Sequence, residues 1–259
     1  TRAHCKVKVE RRPDDLPEPK AWLESITADH IVVNQDDPER NQDQNALITV
    51  DGYSKFTGGF PGESKNTEET KLAFTQFAGL QSDPNNIIKH CYTDGSEELR
   101  KACADMNIPH DTSIPHRPET NGVAERAVRR VKEGTSCALV QSGFSDDWWS
   151  YAMQIYCFHR NSVDVLKDGK TAWEKRFGEK NRAISIPLGA EVTYKPNKDQ
   201  AKKYLPTMGS KMLPGLFLGY YQHQGGGWDG SYYILDRHDL EYSNTWKVAK
   251  QYVTRYRAE

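Results

Sequence analysis

The sequence is poor in the features that mark membrane, secreted and zinc-finger proteins. Its 259 residues contain no apolar run approaching 18 residues, and the mean hydropathy is −0.82, so no membrane-spanning segment is expected. No basic-then-apolar stretch opens the chain, so no secretory signal is read. The five cysteines, Cys5, Cys91, Cys103, Cys137 and Cys157, are odd in number and form no CxxC. That excludes a disulfide framework or a zinc finger built within the chain. Reduced, mostly buried thiols in an intracellular protein are expected instead. An excess of one charge is also lacking: 35 Lys and Arg face 36 Asp and Glu, a net of −1. Nucleic-acid binders usually carry a basic excess, so near-neutrality at first argues against one. The first residue is Thr1, and a piece or processed product of something longer is expected.

What is present modifies this picture. Six Trp, 13 Tyr and eight Phe are too many aromatics for a disordered chain. The charge is unevenly spread. Residues 1–125 carry 14 basic and 22 acidic side chains, a net of −8, and residues 126–259 carry 21 and 14, a net of +7. Such a chain can present separate metal-binding and anion-binding surfaces, or simply two solvated ones.

Residues 1–23 are basic, Pro-containing and aperiodic and read as an extended linker. Strands are expected at 26–33, on either side of a turn near Asp51–Gly52, at 87–94 and at 108–114. Helices are expected from Thr67 to Gly79, over 97–107, from Val123 to about Gln141 and over 145–163, with Ser145 as an N-cap. Between them, IPHRPETNG (114–122) is a loop broken by Pro115, Pro118 and Gly122. Past Ile186 the texture becomes AEVTYK, GLFLGYY, SYYILD and WKVAKQYV, short strands suggesting a small all-β unit. The expected fold class is α/β, a mixed sheet with flanking helices followed by that unit.

Three acids occupy comparable positions: Asp29 on the first strand, Asp94 at the end of the fourth and Glu125 early in the long helix. Clustered carboxylates repel one another unless they hold hard divalent cations such as Mg²⁺. The segments around them, TADHIVV, YTDGSEEL and IPHRPETNGVAERAVRRVK, occur in that order, with VDGYSKF, DGKTAWEKRFG and GLFLGY as companions. In this combination the sequence resembles the integrases of copia-type long-terminal-repeat retrotransposons, of the retroviral integrase superfamily, over most of residues 24–245. The most specific part is PHRPETNGVAER.

The resemblance implies a ribonuclease-H-like core over 24–165, a connecting segment over 166–185 and a small SH3-like barrel over 186–259. It implies that residues 1–23 follow a zinc module that is missing here. It maps the catalytic, metal-binding acids onto Asp29, Asp94 and Glu125, with Mg²⁺ or Mn²⁺ as cofactor; Asp51 competes for the first role. Thirty residues separate Asp94 from Glu125, fewer than the family usually places there. Glu125, Arg129 and Lys132 are spaced to share a helical face, and Arg126 and Arg130 form a second ridge about 100° away. Two readings of the first face stand together: a metal-bound acid with phosphate-binding cations, or a solvated i,i+4 pair. DNA contacts are expected from His116, Arg117, Thr120 and Asn121 in the loop, from Arg126, Arg129 and Lys132, and from Lys202 and Lys203 in the β unit. The late aromatics are expected in the barrel core.

The expected activity is metal-dependent 3′-end processing and DNA strand transfer, by a homo-oligomer within a nucleoprotein assembly, in the nucleus if the protein is active. A catalytically inactive structural or nucleic-acid-binding subunit is the alternative, and a ribonuclease-H-type nuclease a weaker third.

Overall fold

A computed structural model describes residues 18–33, 43–112, 122–196, 198–237 and 254–257. The expected loop residues 114–121, the N-terminal arm before residue 18 and the strand expected at 246–253 fall outside or mostly outside these.

Strands β1 (Ile26–Val32), β2 (Asn45–Asp51) and β3 (Thr57–Gly62) form an antiparallel meander. β4 (Cys91–Thr93) then joins the free side of β1 in parallel, and β5 (His110–Thr112) joins β4, also in parallel. The strand order is β3-β2-β1-β4-β5. Helix α1 (Thr67–Ala78) makes the crossover from β3 to β4, and α2 (Glu97–Asp105) the crossover from β4 to β5. Helices α3 (Gly122–Ser142) and α4 (Trp149–Val163) follow. This is the ribonuclease-H-like mixed sheet that the sequence led one to expect. Every residue of β2 is buried, as a strand covered on both faces should be.

Local chemistry sets the element ends. Helix α1 is capped one residue before its expected start, by Asn66, whose side chain accepts from the Glu69 N–H. The strand expected at 87–94 is regular only over Cys91–Thr93, but its approach is still paired: Lys89 N–H donates to Leu23 O, and Ile26 N–H to His90 O. The 145–163 segment divides into a 3-10 turn at Asp146–Trp148 and helix α4. Ser145 occupies the cap position of that turn without a side-chain capping bond.

Asn161 ties α4 to the sheet. Its amide accepts from the Thr57 N–H and donates to the Thr57 C=O, each at 2.8 Å. The side chain thus acts as a one-residue strand partner for the edge strand β3.

Beyond α5 (Ala172–Phe177), a second antiparallel sheet has the order β6-β7-β8-β9, over Glu191–Tyr194, Leu213–Gln222, Trp228–Asp236 and Thr254–Arg257. It is compatible with an SH3-like domain. A helix, α6 (Lys198–Tyr204), interrupts the stretch expected to be wholly β. The second sheet does not build a separate core. Phe217, Leu218, Tyr220 and Leu235 belong to the same buried cluster as Phe74, Phe77 and Phe158 of the first unit. Phe158 of α4 stacks on Tyr220 of β7 at 3.8 Å and 12°. A minor cluster of Tyr194, Leu213 and Ile234, with Tyr204 of α6 against it, covers another part of this sheet.

The Tyr220 hydroxyl gathers three partners. It donates to Ile184 O at 2.6 Å and accepts from the Ile186 N–H at 2.8 Å. With its one proton used, its third contact, His159 Nε2 at 3.0 Å, must come from an Nε2–H donor. Burial raises the phenol to about 12 and pushes the His159 imidazole below its ordinary value.

Two outcomes follow for stability. Asn161→Ala leaves the buried Thr57 N–H and C=O without partners and should cost about 2–4 kcal/mol, read from urea denaturation. A His held below its ordinary value binds a proton less readily folded than unfolded. Its contribution is therefore present above about pH 6.5 and is lost as pH falls through that value toward the folded one. His159→Gln keeps an N–H donor and should flatten that decline between pH 7 and 5; an unchanged pH profile would assign the decline elsewhere.

Candidate metal centre and nucleic-acid interface

Strand alternation sorts two adjacent residues to opposite faces. His30 points to α1, where its Nε2 lies 3.4 Å from Thr70 Oγ1. Asp29 therefore points to the other face, the side on which α3 packs against β1 and β2. The parallel register pairs Ala28 with Thr93, and one step further along brings Asp29 beside Asp94, on neighbouring strands about 4.8 Å apart. Asp94 follows the last residue of β4. Its Oδ1 accepts from the Ser96 N–H at 3.0 Å, and Gly95, with φ of 84°, makes the turn into α2. Glu125 lies in the first turn of α3 and is solvent-exposed.

The electrostatics register this convergence. Burial, then the negative charge of Asp94, raises the Asp29 carboxyl to about 6; Glu125 adds to the rise, while the His30 N–H and Lys65 oppose it. The His30 N–H donates to Asp29 Oδ1 at 2.8 Å. Burial first, and Lys65 next, push the His30 imidazole down to about 4. All three acids supply hard oxygen donors, the chemistry a Mg²⁺ or Mn²⁺ ion requires. Their side chains are not gathered into a ligand set: among the described residues no three His, Cys, Asp or Glu side chains could together hold a metal ion.

Asp51, the competitor, is committed elsewhere. It is fully buried and accepts from the N–H groups of Leu23, Tyr53 and Ser54 and from the Ser54 hydroxyl, at 2.6–3.1 Å. With its oxygens so occupied it organises the β2–β3 turn.

Arg126, Arg129 and Lys132 are exposed along α3. No ion pair joins Glu125 to Arg129 among the described residues, so the i,i+4 pairing is not what orders this face. Lys202 and Lys203 are exposed on α6, with Lys203 Nζ 4.5 Å from the Tyr204 ring centroid. Through Tyr204 that helix packs on the minor cluster of the second sheet, apart from the cluster shared with α4, so the structure does not group these lysines with the α3 cations. His116, Arg117, Thr120 and Asn121 lie outside the described residues. Phe217 and Tyr220 are core residues, as expected. Sequence reasoning missed Lys65, whose Nζ lies 3.8 Å from Glu98 Oε2 and whose charge acts on Asp29; nothing in ESKNTEE signals it. It also missed Arg176, which is packed among the rings of Trp22, Phe56 and Phe177 and donates to Phe77 O at 3.1 Å. Arg176 and its neighbour Phe177 lie near the end of the DGKTAWEKRFG segment, but only the fold brings those rings together.

No family model matches the chain. Sequence relatives do. The chain is 28% identical over 138 residues to the retrovirus-related Pol polyprotein from transposon RE2 of Arabidopsis thaliana, a match covering 51% of this chain and 9% of that protein. It is 25% identical over 186 residues to the retrovirus-related Pol polyprotein from transposon TNT 1-94 of Nicotiana tabacum, covering 62% of this chain and 12% of that protein. The chain thus spans only about a tenth of the curated relatives it matches. Among solved structures it is similar to the HTLV-2 integrase catalytic core domain in complex with magnesium, with TM-score 0.45 and 19% identity over 60% of this chain and 97% of that one. It is also similar to a chain of the simian T-cell lymphotropic virus intasome in complex with PP2A regulatory subunit B56 gamma, with TM-score 0.49 and 17% identity over 89% and 76%. These sequence relatives are retrovirus-related Pol polyproteins of plant transposons.

The two aspartates should respond oppositely to mutation. Asp51→Ala strands several buried donors and should cost about 3 kcal/mol or more. In metal-free protein at pH 7.5, Asp29→Asn removes a carboxylate that burial and then the charge of Asp94 disfavour, and should stabilise by about 1 kcal/mol after allowance for solvent screening. Thermal denaturation in EDTA reads both; a destabilised Asp29→Asn would contradict the like-charge convergence.

Proposed function

We propose that this chain is the core and C-terminal part of a copia-type retrotransposon integrase, which trims retroelement DNA ends by hydrolysis and joins the freed 3′-hydroxyl to target DNA. The observation that supports this reading is the parallel register of β1 and β4, which sets Asp29 beside Asp94, with the charges of Asp94 and then Glu125 adding to the rise that burial gives the Asp29 carboxyl. Asp29, Asp94 and Glu125 would hold Mg²⁺ or Mn²⁺, which when bound activates a water or hydroxyl oxygen and stabilises the leaving oxygen of a phosphodiester. Arg129 and Lys132, on the same helical face as Glu125, would take DNA phosphates and set the end against the acids. Arg126 would add a contact from the next ridge, and His116, Arg117, Thr120 and Asn121 contacts near the cut. Lys202 and Lys203 would reach a further stretch of DNA from the second sheet. In this reading 24–165 is the catalytic unit, 166–185 the connection and 186–259 the accessory unit. Its partners are DNA and further copies of itself in a nucleoprotein assembly, and its place of action is the nucleus. Intasome and magnesium-bound integrase cores among its structural neighbours are in keeping with it.

One observation favours a second reading, a non-catalytic nucleic-acid-binding subunit: among the described residues the acids do not close into a ligand set. Labelled terminal-repeat duplex with Mg²⁺ or Mn²⁺ separates the two. The catalytic reading expects shortened ends and strand-transfer products, reduced at least a thousandfold in Asp94→Asn. Retained DNA binding without product, in this chain and in its full-length parent alike, would favour the subunit.

A further inference from the structure

The seam between α3 and α4 carries a groove that the reading above leaves unused. Arg130 of α3, Tyr156 and Arg160 of α4, and residues 164–167 just beyond it line an open cleft of about 540 Å³. Gly134 sets its shape. A Cβ there would collide with the Tyr156 ring, so glycine lets the ring press into α3 one turn beyond Arg130. A glycine inside a helix is destabilising by itself; here it serves the close approach.

The groove is basic. Arg130, Arg160 and Lys167 face one acid, Asp164. Arg160 is mostly buried, and Asp164 holds it at 3.0 Å, so its guanidinium is a fixed wall. Arg130 and Lys167 are exposed, and neither has an ion-pair partner among the described residues. Arg126 lies one turn before Arg130 and extends the row along α3. Guanidinium forks suit phosphate oxygens bidentately, and a tyrosine hydroxyl can donate to phosphate or sugar. An open, shallow groove of this kind fits an extended polyanion better than a small ligand that must be enclosed.

We propose that the α3–α4 groove binds the sugar–phosphate backbone of duplex DNA through Arg130, Lys167 and Tyr156. The contact lies about 100° around α3 from the Glu125–Arg129–Lys132 ridge. One helix would then engage two separate backbone segments, one held for chemistry and one along its flank. The proposal rests on the integrase reading only for its choice of DNA.

The test is metal-free binding of the full chain to a random-sequence 30-base-pair duplex, followed by fluorescence anisotropy in EDTA from 50 to 200 mM salt. The double variant Arg130→Gln with Lys167→Gln should bind about tenfold more weakly at 100 mM salt. The slope of log affinity against log salt should become shallower by about 2. Arg130→Lys should restore most of its half of that loss. Unchanged circular dichroism and thermal midpoint show that the variants remain folded. An unchanged salt slope in the double variant, with a parent that binds and processes terminal-repeat DNA, overturns the groove and leaves the integrase reading standing. A shallower slope with a parent that makes no product supports the groove and counts against catalysis. A parent without duplex affinity overturns the groove assignment, and duplex RNA competing better than duplex DNA overturns the choice of DNA.

Discussion

Phe158 stacked on Tyr220 is the contact through which two sheets share one interior. It places α4 between them, so that the helix has little face left for solvent: Trp149, Ala152, Met153, Ile155, Cys157, Phe158 and Asn161 are all buried. On one side Asn161 completes the backbone bonding of β3. On the other, Tyr220 fastens the segment leading into the second sheet through Ile184 and Ile186. The turn between β7 and β8 adds a further tie, for the Gly225 N–H donates to Gln76 O near the end of α1. The last turn of α1 has no basic residue of its own. Its carbonyls are satisfied by the Gly225 N–H and by Arg176 from distant parts of the chain. The second sheet is therefore packed as a continuation of the first unit's interior.

Much of the first unit was legible because its signals are local. Alternation marked β1, a turn at Asp51–Gly52 separated β2 from β3, and the helical stretches of α1 to α4 lay within a residue or a few of where they were expected. The interior shared between sheets was not legible, since AEVTYK, GLFLGYY and SYYILD report strands but not what their faces meet. Helix α6 was missed because KDQAKKY, polar but for Ala201 and Tyr204, reads as a Lys-rich turn. β4 came out shorter than its apolar run because pairing over residues 87–90 passes to Leu23 and the start of β1 rather than to a regular ladder.

The candidate site divides in the same way. Three acids at strand ends and on a helix could be named from the sequence, and the register of β1 with β4 then brings two of them side by side. Asp29 and Asp51 look alike as letters, each on a strand of the same meander. What separates them is hydrogen bonding: Asp51 is saturated by Leu23 and by donors within the turn it organises, whereas among the described residues Asp29 has the one donor His30 beside it. The opening objection from net charge also changes meaning. The acids fall before and on the side of the sheet that carries Asp29, and the cations follow along α3 and beyond, so a sum of −1 averages two opposed regions.

The alternation that sends Asp29 and His30 to opposite faces of one strand has a consequence for how such a sequence decays. A point substitution in β1 alters one side chain. A single-residue insertion or deletion before Asp29 that shifted the strand by one would exchange the two faces, setting the imidazole among the acids and a carboxylate under α1. The neighbouring strand would meet the shifted one with hydrogen bonds still available, since backbone pairing is indifferent to side-chain identity. A chain that accumulates small length changes would on this account lose the acidic face while keeping a sheet, and the first trace of that loss would be a change of parity in β1 rather than the loss of any one carboxylate.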